Sequence, residues 1–213
     1  MPVPARMFAV WCLTAVLASG CAHSVTGSAV RAAPGIDDDS LSPVDVEAIM
    51  LDQSQMRAIT GAGEELTIIP SMDGKVPVDI DPLVGSAPPE CQWIFAETQT
   101  FGPDVEEFHK TTFQNPPDGG LISEAAAAYR DPRTARDAFN DLVGLVHDCG
   151  STTFGQTLVG EWMATAHKLQ TRLDACGRDY RLKSVVLVEV TFCRFPESVP
   201  DIVMTNILAK VPD

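Results

Sequence analysis

The chain has 213 residues and a formal net charge of −14 from 29 acidic and 15 basic side chains. That balance disfavours nucleic acid and anionic lipid head groups as partners. The length suits one domain with a sizeable core, and no segment is long and apolar enough to span a bilayer, which takes about twenty residues.

The first twenty residues carry one charge, Arg6, followed by the apolar run "MFAVWCLTAVLASG". A basic start, a short apolar core and a small-residue exit predict a secretory signal peptide over 1–20. Ala18-Ser19-Gly20 suits an ordinary signal peptidase, but Cys21 directly after Gly20 resembles a bacterial lipobox. There the thiol takes a diacylglyceryl group and becomes the first residue of the mature chain. Cys21 is therefore the predicted lipidation site, and the predicted location is the extracytoplasmic side of the cell membrane. Losing residues 1–20 removes Arg6 and no acid, so the net charge becomes −15.

Residues 21–40 read as the lipidated Cys and a flexible linker, small and polar without period. Asp37-Asp38-Asp39 has the composition of a calcium ligand set, but no EF-hand spacing follows and a solvated linker is the expectation. The domain is placed at 41–213. Ser42-Pro43 and Asp45 resemble a helix start, with Val46, Ile49 and Met50 on one face. "DQSQMRAITG" predicts a second short helix closed by Gly61, and "ELTIIPS" a strand. Residues 72–90, rich in Pro, Asp and Gly, predict a long loop or hinge. "CQWIFAETQTF" is ambiguous between helix and strand.

"EFHKTTF" reads as a strand, "NPPDGG" as a turn, and "LISEAAAAYRD" as its partner strand despite four alanines. The clearest element follows. Asp131 caps a helix with Pro132 in its first turn, and Ala135, Ala138, Phe139, Leu142, Val143, Val146 and Cys149 make one apolar stripe before Gly150. "TTFGQTLV" and "WMATAHKLQT" are strand candidates. "KSVVLVEVTFC" is a strong strand: Val186, Val188, Val190 and Phe192 share one face, and Val185, Leu187, Glu189, Thr191 and Cys193 share a mixed one. "SVPDIVMTNILAKV" closes the domain as a helix, with Ile202, Val203, Asn206, Ile207 and Lys210 along one side. Strands mixed with helices, without βαβ alternation, predict an α+β fold with a largely antiparallel sheet.

Of six cysteines, Cys12 leaves with the signal peptide and Cys21 takes the lipid. Cys91, Cys149, Cys176 and Cys193 remain, an even set in an oxidising compartment, which predicts two disulfides. Zinc is not expected, because no C-x-x-C pair is present, and no metal or other cofactor is called for. The histidines are His23 in the linker and His109, His147 and His167 in the domain. Neither a G-x-S-x-G elbow nor H-E-x-x-H accompanies them, and His147 at a helix C-terminus is accounted for by the dipole. No catalytic residue is assigned. Glu124 and Glu189, carboxylates within apolar strands, are candidates to line a cleft or to face solvent. Arg178, Arg181 and Lys183 form the one basic cluster where a negative ligand could dock, with a solvated loop as the simpler expectation.

The order of these features resembles the extracellular sensor domain of the mycobacterial serine/threonine protein kinase H, a family with many free-standing lipoproteins. The likeness is carried by the "DVEAIMLDQSQM" helix pair, a Cys ahead of a strand pair, "TARDAFNDLVGLVHDCG", the "VVLVEVTFC" strand and the closing "ILAKV". The family often has a Trp shortly before its second Cys; here His147 stands two residues before Cys149, and Trp162 follows later. The resemblance implies a curved antiparallel sheet buttressed by helices, the pairings Cys91–Cys149 and Cys176–Cys193, and a cleft for a ligand. It implies no reaction, and the chain lacks the kinase Gly-rich loop, H-R-D and D-F-G. The expected function is a lipid-anchored, non-catalytic module binding a small envelope or extracellular ligand. The alternatives are a cell-envelope hydrolase and a scaffold recruiting another envelope protein.

Overall fold

A computed structural model describes residues 42–213. The expected signal peptide, the expected lipidation site Cys21 and the expected linker lie outside the described residues. Among the described residues, no helix is long and apolar enough to cross a membrane.

The chain enters through two short helices, α1 (Val46–Ile49) and α2 (Gln53–Thr60). Asp45, rather than Ser42, caps α1 by accepting from Ala48 N. Asp52 and Gln55 form a reciprocal capping box on α2, and Gly61 ends it in the left-handed region at φ 69°. Strand β1 (Thr67–Ile68) is brief. The expected 72–90 loop contains helix α3 (Asp81–Val84) and leads into a 3-10 segment, Pro89–Phe95. "CQWIFAETQTF" resolves as that segment followed by helix α4 (Glu97–Phe101).

Strands β2 (Glu107–Asn115) and β3 (Gly120–Ala128) form the expected hairpin, with His109 opposite Ala126 and Thr111 opposite Glu124. The four alanines adopt a strand because ladders with two neighbours outweigh helix propensity. Helix α5 (Pro132–Gly150) follows, capped by Asp131. Next comes α6 (Thr153–Gln156), where a strand was expected. The Thr152 hydroxyl accepts from Gly155 N and starts a helical turn there, a capping bond that outcompetes the β-branched propensity of the threonines. Strands β4 (Glu161–Ala164) and β5 (Lys168–Leu173) divide "WMATAHKLQT" into a hairpin. Strand β6 (Cys176–Lys183) covers the basic cluster that was expected to be a solvated loop. Strand β7 (Val186–Cys193) and helix α7 (Ser198–Lys210) complete the domain.

The seven strands form one sheet in the order β1-β2-β3-β7-β6-β5-β4, antiparallel throughout. After β3 the chain crosses through α5 to the far edge and returns strand by strand, so β7 docks at the centre beside β3. The fold is α+β, as expected. Helices cover both faces. On one face Phe113, Ile122, Val188, Val190 and Phe192 pack with α1, α2 and α7. On the other, Phe108, Tyr180 and Leu187 pack with Trp93, Phe101 and the α5 stripe. In α7 the buried side is Val199, Val203, Met204 and Ile207, while Ile202 is exposed and Asn206 bonds back to Ile202 O. That rotates the helix from the expected face, because α7 meets the sheet and α2 together.

The disulfides are Cys91–Cys149 and Cys176–Cys193. The first ties the 3-10 segment to α5. The second joins directly opposed residues of β6 and β7.

Candidate ligand-binding cleft

The second sheet face is only partly roofed. Helices α4 and α5 cover the end nearest Phe108, Ala127 and Leu187, leaving the rest of that face open beneath residues 72–97. A two-lobed cleft results. The inner lobe, about 260 Å3, has a floor of Lys110, Ser123, Arg178, Glu189 and Thr191 and walls that include Met72, Ile80, Leu83, Trp93 and Ile94. The outer lobe, about 240 Å3, is bordered by Met72, Gly74, Val76, Val78, Ile80 and Phe108. Met72, Val78, Ile80, Glu97 and Lys110 belong to both. Each lobe alone is just below the roughly 300 Å3 at which small-molecule sites begin.

Period-two alternation builds the floor. Arg178 sits opposite Thr191, and Tyr180 opposite Glu189, so these four side chains emerge on one face. Ser123 lies opposite Thr191 on β3 and continues that face. The wall is held by backbone bonds. Gly74 and Lys110 exchange N–H···O bonds at 3.0 and 2.9 Å, and Ile80 N donates to Phe95 O at 2.8 Å. Glu97 couples wall to floor: one oxygen accepts from Val78 N at 2.9 Å, and the other pairs with the Lys110 ammonium. Thr98 donates to Asp79 through both N and Oγ1. The segment is thus fixed with Met72, Val76, Val78, Ile80 and Leu83 still 40–66% exposed.

Arg178 is half-buried. It donates to Ile94 O at 3.2 Å and lies 5.8 Å from the centroid of the Trp93 ring. Glu189 is buried and accepts from Thr191 Oγ1 at 2.6 Å. Burial, with Glu189 alongside, pushes the Tyr180 phenol far above its ordinary value, so it stays neutral. Trp93 is 1% exposed, and its indole N–H has no acceptor among the described residues.

Of the candidates singled out in the sequence, Arg178 and Glu189 meet in this cleft. Glu124 and Arg181 do not. Glu124 points to the opposite face, fully buried beneath the α1–α2 junction, with Oε1 accepting from Leu51 N at 2.9 Å. Arg181 faces α7 and pairs with Asp201 at 3.6 Å. Lys183 donates to Leu208 O and Val211 O at the end of α7. The basic cluster is therefore split between faces by strand alternation. Lys110, Glu97 and Trp93 were missed in the sequence. The available signal was Val76, Val78 and Ile80 recurring at every second position inside a Pro- and Asp-rich loop, where apolar side chains have no structural need to alternate.

The histidines do not converge. His147 and His167 are exposed, and His147 pairs with Asp148. His109 stands 3.1 Å from Asp73 Oδ1, which also accepts from Thr111 Oγ1 at 2.9 Å. This is not a nucleophile relay. In a relay the carboxylate and the hydroxyl occupy opposite ring nitrogens. Here both meet Nε2, with Thr111 Oγ1 at 3.4 Å, while Nδ1 is buried without a partner among the described residues. No cluster of metal-ligating side chains occurs among the described residues.

A family model described as the PknH-like extracellular domain matches residues 41–210. The solved extracellular domain of PknH from Mycobacterium tuberculosis is similar in fold, with a TM-score of 0.56 and 14% identity over 79% of this chain and 96% of that one. At that identity the likeness speaks for the fold alone. A search of curated proteins found no match. With four-fifths of its length inside that match, the chain belongs to the family of PknH-like extracellular domains.

Proposed function

We propose that this protein is a lipid-anchored extracytoplasmic module that holds a small ligand in the two-lobed cleft and does not transform it. The observation that carries this is the cleft itself. A wall of exposed apolar side chains is fixed over a floor bearing Lys110, Arg178 and Glu189. Exposed apolar side chains gathered on one segment of a strongly acidic protein suit a surface that becomes covered. Membership in a family of extracellular domains supports placement outside the cytoplasm, and the small-residue run ending at Cys21 supports the lipid. The arrangement of Asp73, His109 and Thr111 argues against the hydrolase alternative.

Native mass spectrometry of the full chain purified from its own envelope tests this. The expected result is a retained small molecule that is lost when Val78→Asp places a carboxylate in the wall. A saturable hydrolysis of ester, amide or glycoside substrates, abolished at His109, would overturn it. The exposed wall also suits a scaffold surface. In that case cross-linking would capture an envelope protein at Val76–Ile80, and no small molecule would be retained.

A further inference from the structure

Resting on the reading of the cleft as a ligand site, we infer that its ligand is an amphiphile with a single alkyl chain and a monoanionic oxyacid head, carboxylate or phosphodiester.

The chain fits the outer lobe. Val76, Val78 and Ile80 line up at alternate positions along an extended backbone that is pinned to the sheet edge through Gly74 and Lys110. Phe108 closes the bottom of this lobe. A run of apolar side chains along one wall, continuous with a second lobe, matches an extended hydrocarbon better than a compact polar solute.

The head fits the inner lobe. Arg178 is a permanent cation with a forked donor set, and no carboxylate among the described residues forms an ion pair with it; its donated bond goes to the Ile94 carbonyl. The Tyr180 hydroxyl and the Glu189 carboxylate stand beside the guanidinium, and its forked set of five N–H donors still exceeds these partners and the Ile94 carbonyl, leaving donors for oxyanion oxygens. Trp93 lies beside it with a buried indole N–H that has no acceptor among the described residues. A bound oxyanion would supply one. Lys110 is already neutralised by Glu97, and Glu189 stands near Arg178. With its two cations already matched by two carboxylates, the floor has no surplus positive charge to hold a second negative one, which favours a singly charged head. The overall charge of −14 does not exclude an anion here, because over distances beyond about 8 Å it is screened at physiological salt.

Calorimetric titration of the Cys21→Ala chain, which carries no attached lipid to compete, would use probes below their micelle concentrations. Decanoate supplies chain and charge, decanol the chain alone, acetate the charge alone, and decyltrimethylammonium the wrong charge. Decanoate is expected to bind about tenfold or more tightly than decanol, and acetate and the cation not measurably. Arg178→Gln should bring decanoate down to the affinity of decanol. Retained decanol binding in that variant shows that the site is still folded. Val78→Asp should weaken both. A decanoyl lysophosphatidylglycerol separates the two head chemistries: whichever anion binds more tightly identifies the head. Equal binding of decanoate and decanol, preference for the cation, or an unchanged Arg178→Gln chain would overturn the inference. If no probe binds while the purified chain still retains a molecule lost in Val78→Asp, the ligand class falls and the cleft stands. If nothing is retained either, both fall.

Discussion

Glu124 carries a carboxyl group into the core where α1 joins α2, and one of its oxygens has no partner among the described residues. Burial raises its pKa from 4.5 to about 8, against the opposing effects of the Leu51 N–H and the Lys210 ammonium. Below about pH 4.5 the group is protonated in both the folded and the unfolded chain. Between there and about pH 8 only the folded state keeps the proton, so its contribution to stability declines as pH rises through that window and levels off above it. The decline should amount to roughly 2–5 kcal/mol. Glu124→Gln keeps the acceptor for Leu51 and removes the titration. Urea unfolding should therefore find the variant close to wild type at pH 5 and more stable at pH 9; parallel pH profiles would count against this. Glycines give a second test at the same scale. Gly160 has φ 64°, and a Cβ there would lie 2.0 Å from Arg172 O. Gly160→Ala should cost about 2–4 kcal/mol from left-handed strain plus overlap. Gly144, on the exposed side of α5, meets nothing within 4 Å. Gly144→Ala should stabilise by about 0.5–1 kcal/mol through helix propensity. Thermal melts of the pair should move in opposite directions.

Among elements, the 3-10 segment Pro89–Phe95 matters most to the cleft, since it presents Trp93, Ile94 and Phe95 to the inner lobe. Its attachment to α5 is the Cys91–Cys149 bond, across a sequence separation of 58. Cys176–Cys193 spans only 17 and joins strands already paired by the ladder. Loop-closure entropy then predicts losses of about 4 kcal/mol for Cys91→Ala with Cys149→Ala and about 3 kcal/mol for Cys176→Ala with Cys193→Ala. Hydrogen exchange should separate them further: protection over residues 89–95 is expected to drop in the first double variant and to persist in the second. Strand β6 shows where element prediction from sequence fails. "CGRDYRLK" is half charged, and a sheet interior accommodates it because Asp179, Arg181 and Lys183 find partners only in three dimensions, while Arg178 reaches the Ile94 carbonyl in the cleft. Asp179 is fully buried yet accepts from Arg172 and Gln170, and Arg172 in turn lies 5.0 Å from the Phe192 ring centroid. By contrast β7 and α5 were legible, because one alternates apolar residues with period two and the other repeats them at three and four.

At the scale of the whole molecule, the domain closes on itself through α7. Lys210 donates to Met50 O at 2.6 Å, and Lys183 donates to carbonyls at the end of the helix. The first described helix and the last are thereby held on the same sheet face, opposite the cleft. If Cys21 carries lipid, Cys21→Ala should move the protein from the membrane fraction to the soluble fraction without changing its melting temperature. Partitioning into detergent unaltered would show that another feature holds it there.

The α+β class, the central hairpin, α5, β7 and the complement of four cysteines were determined by the sequence, because each rests on periodicity, capping residues or parity within a short window. The split of Arg178 from Arg181 and Lys183, the burial of Glu124, the turn of α7 and the cleft were decided only by tertiary structure. A side chain's face depends on which strand its neighbours pair with, and β6 takes its register from β7 and β5. The cleft exists because helices roof only one end of the sheet face, and the chain crosses from β3 to the far edge before returning. No local pattern records how much of a face a distant helix will cover.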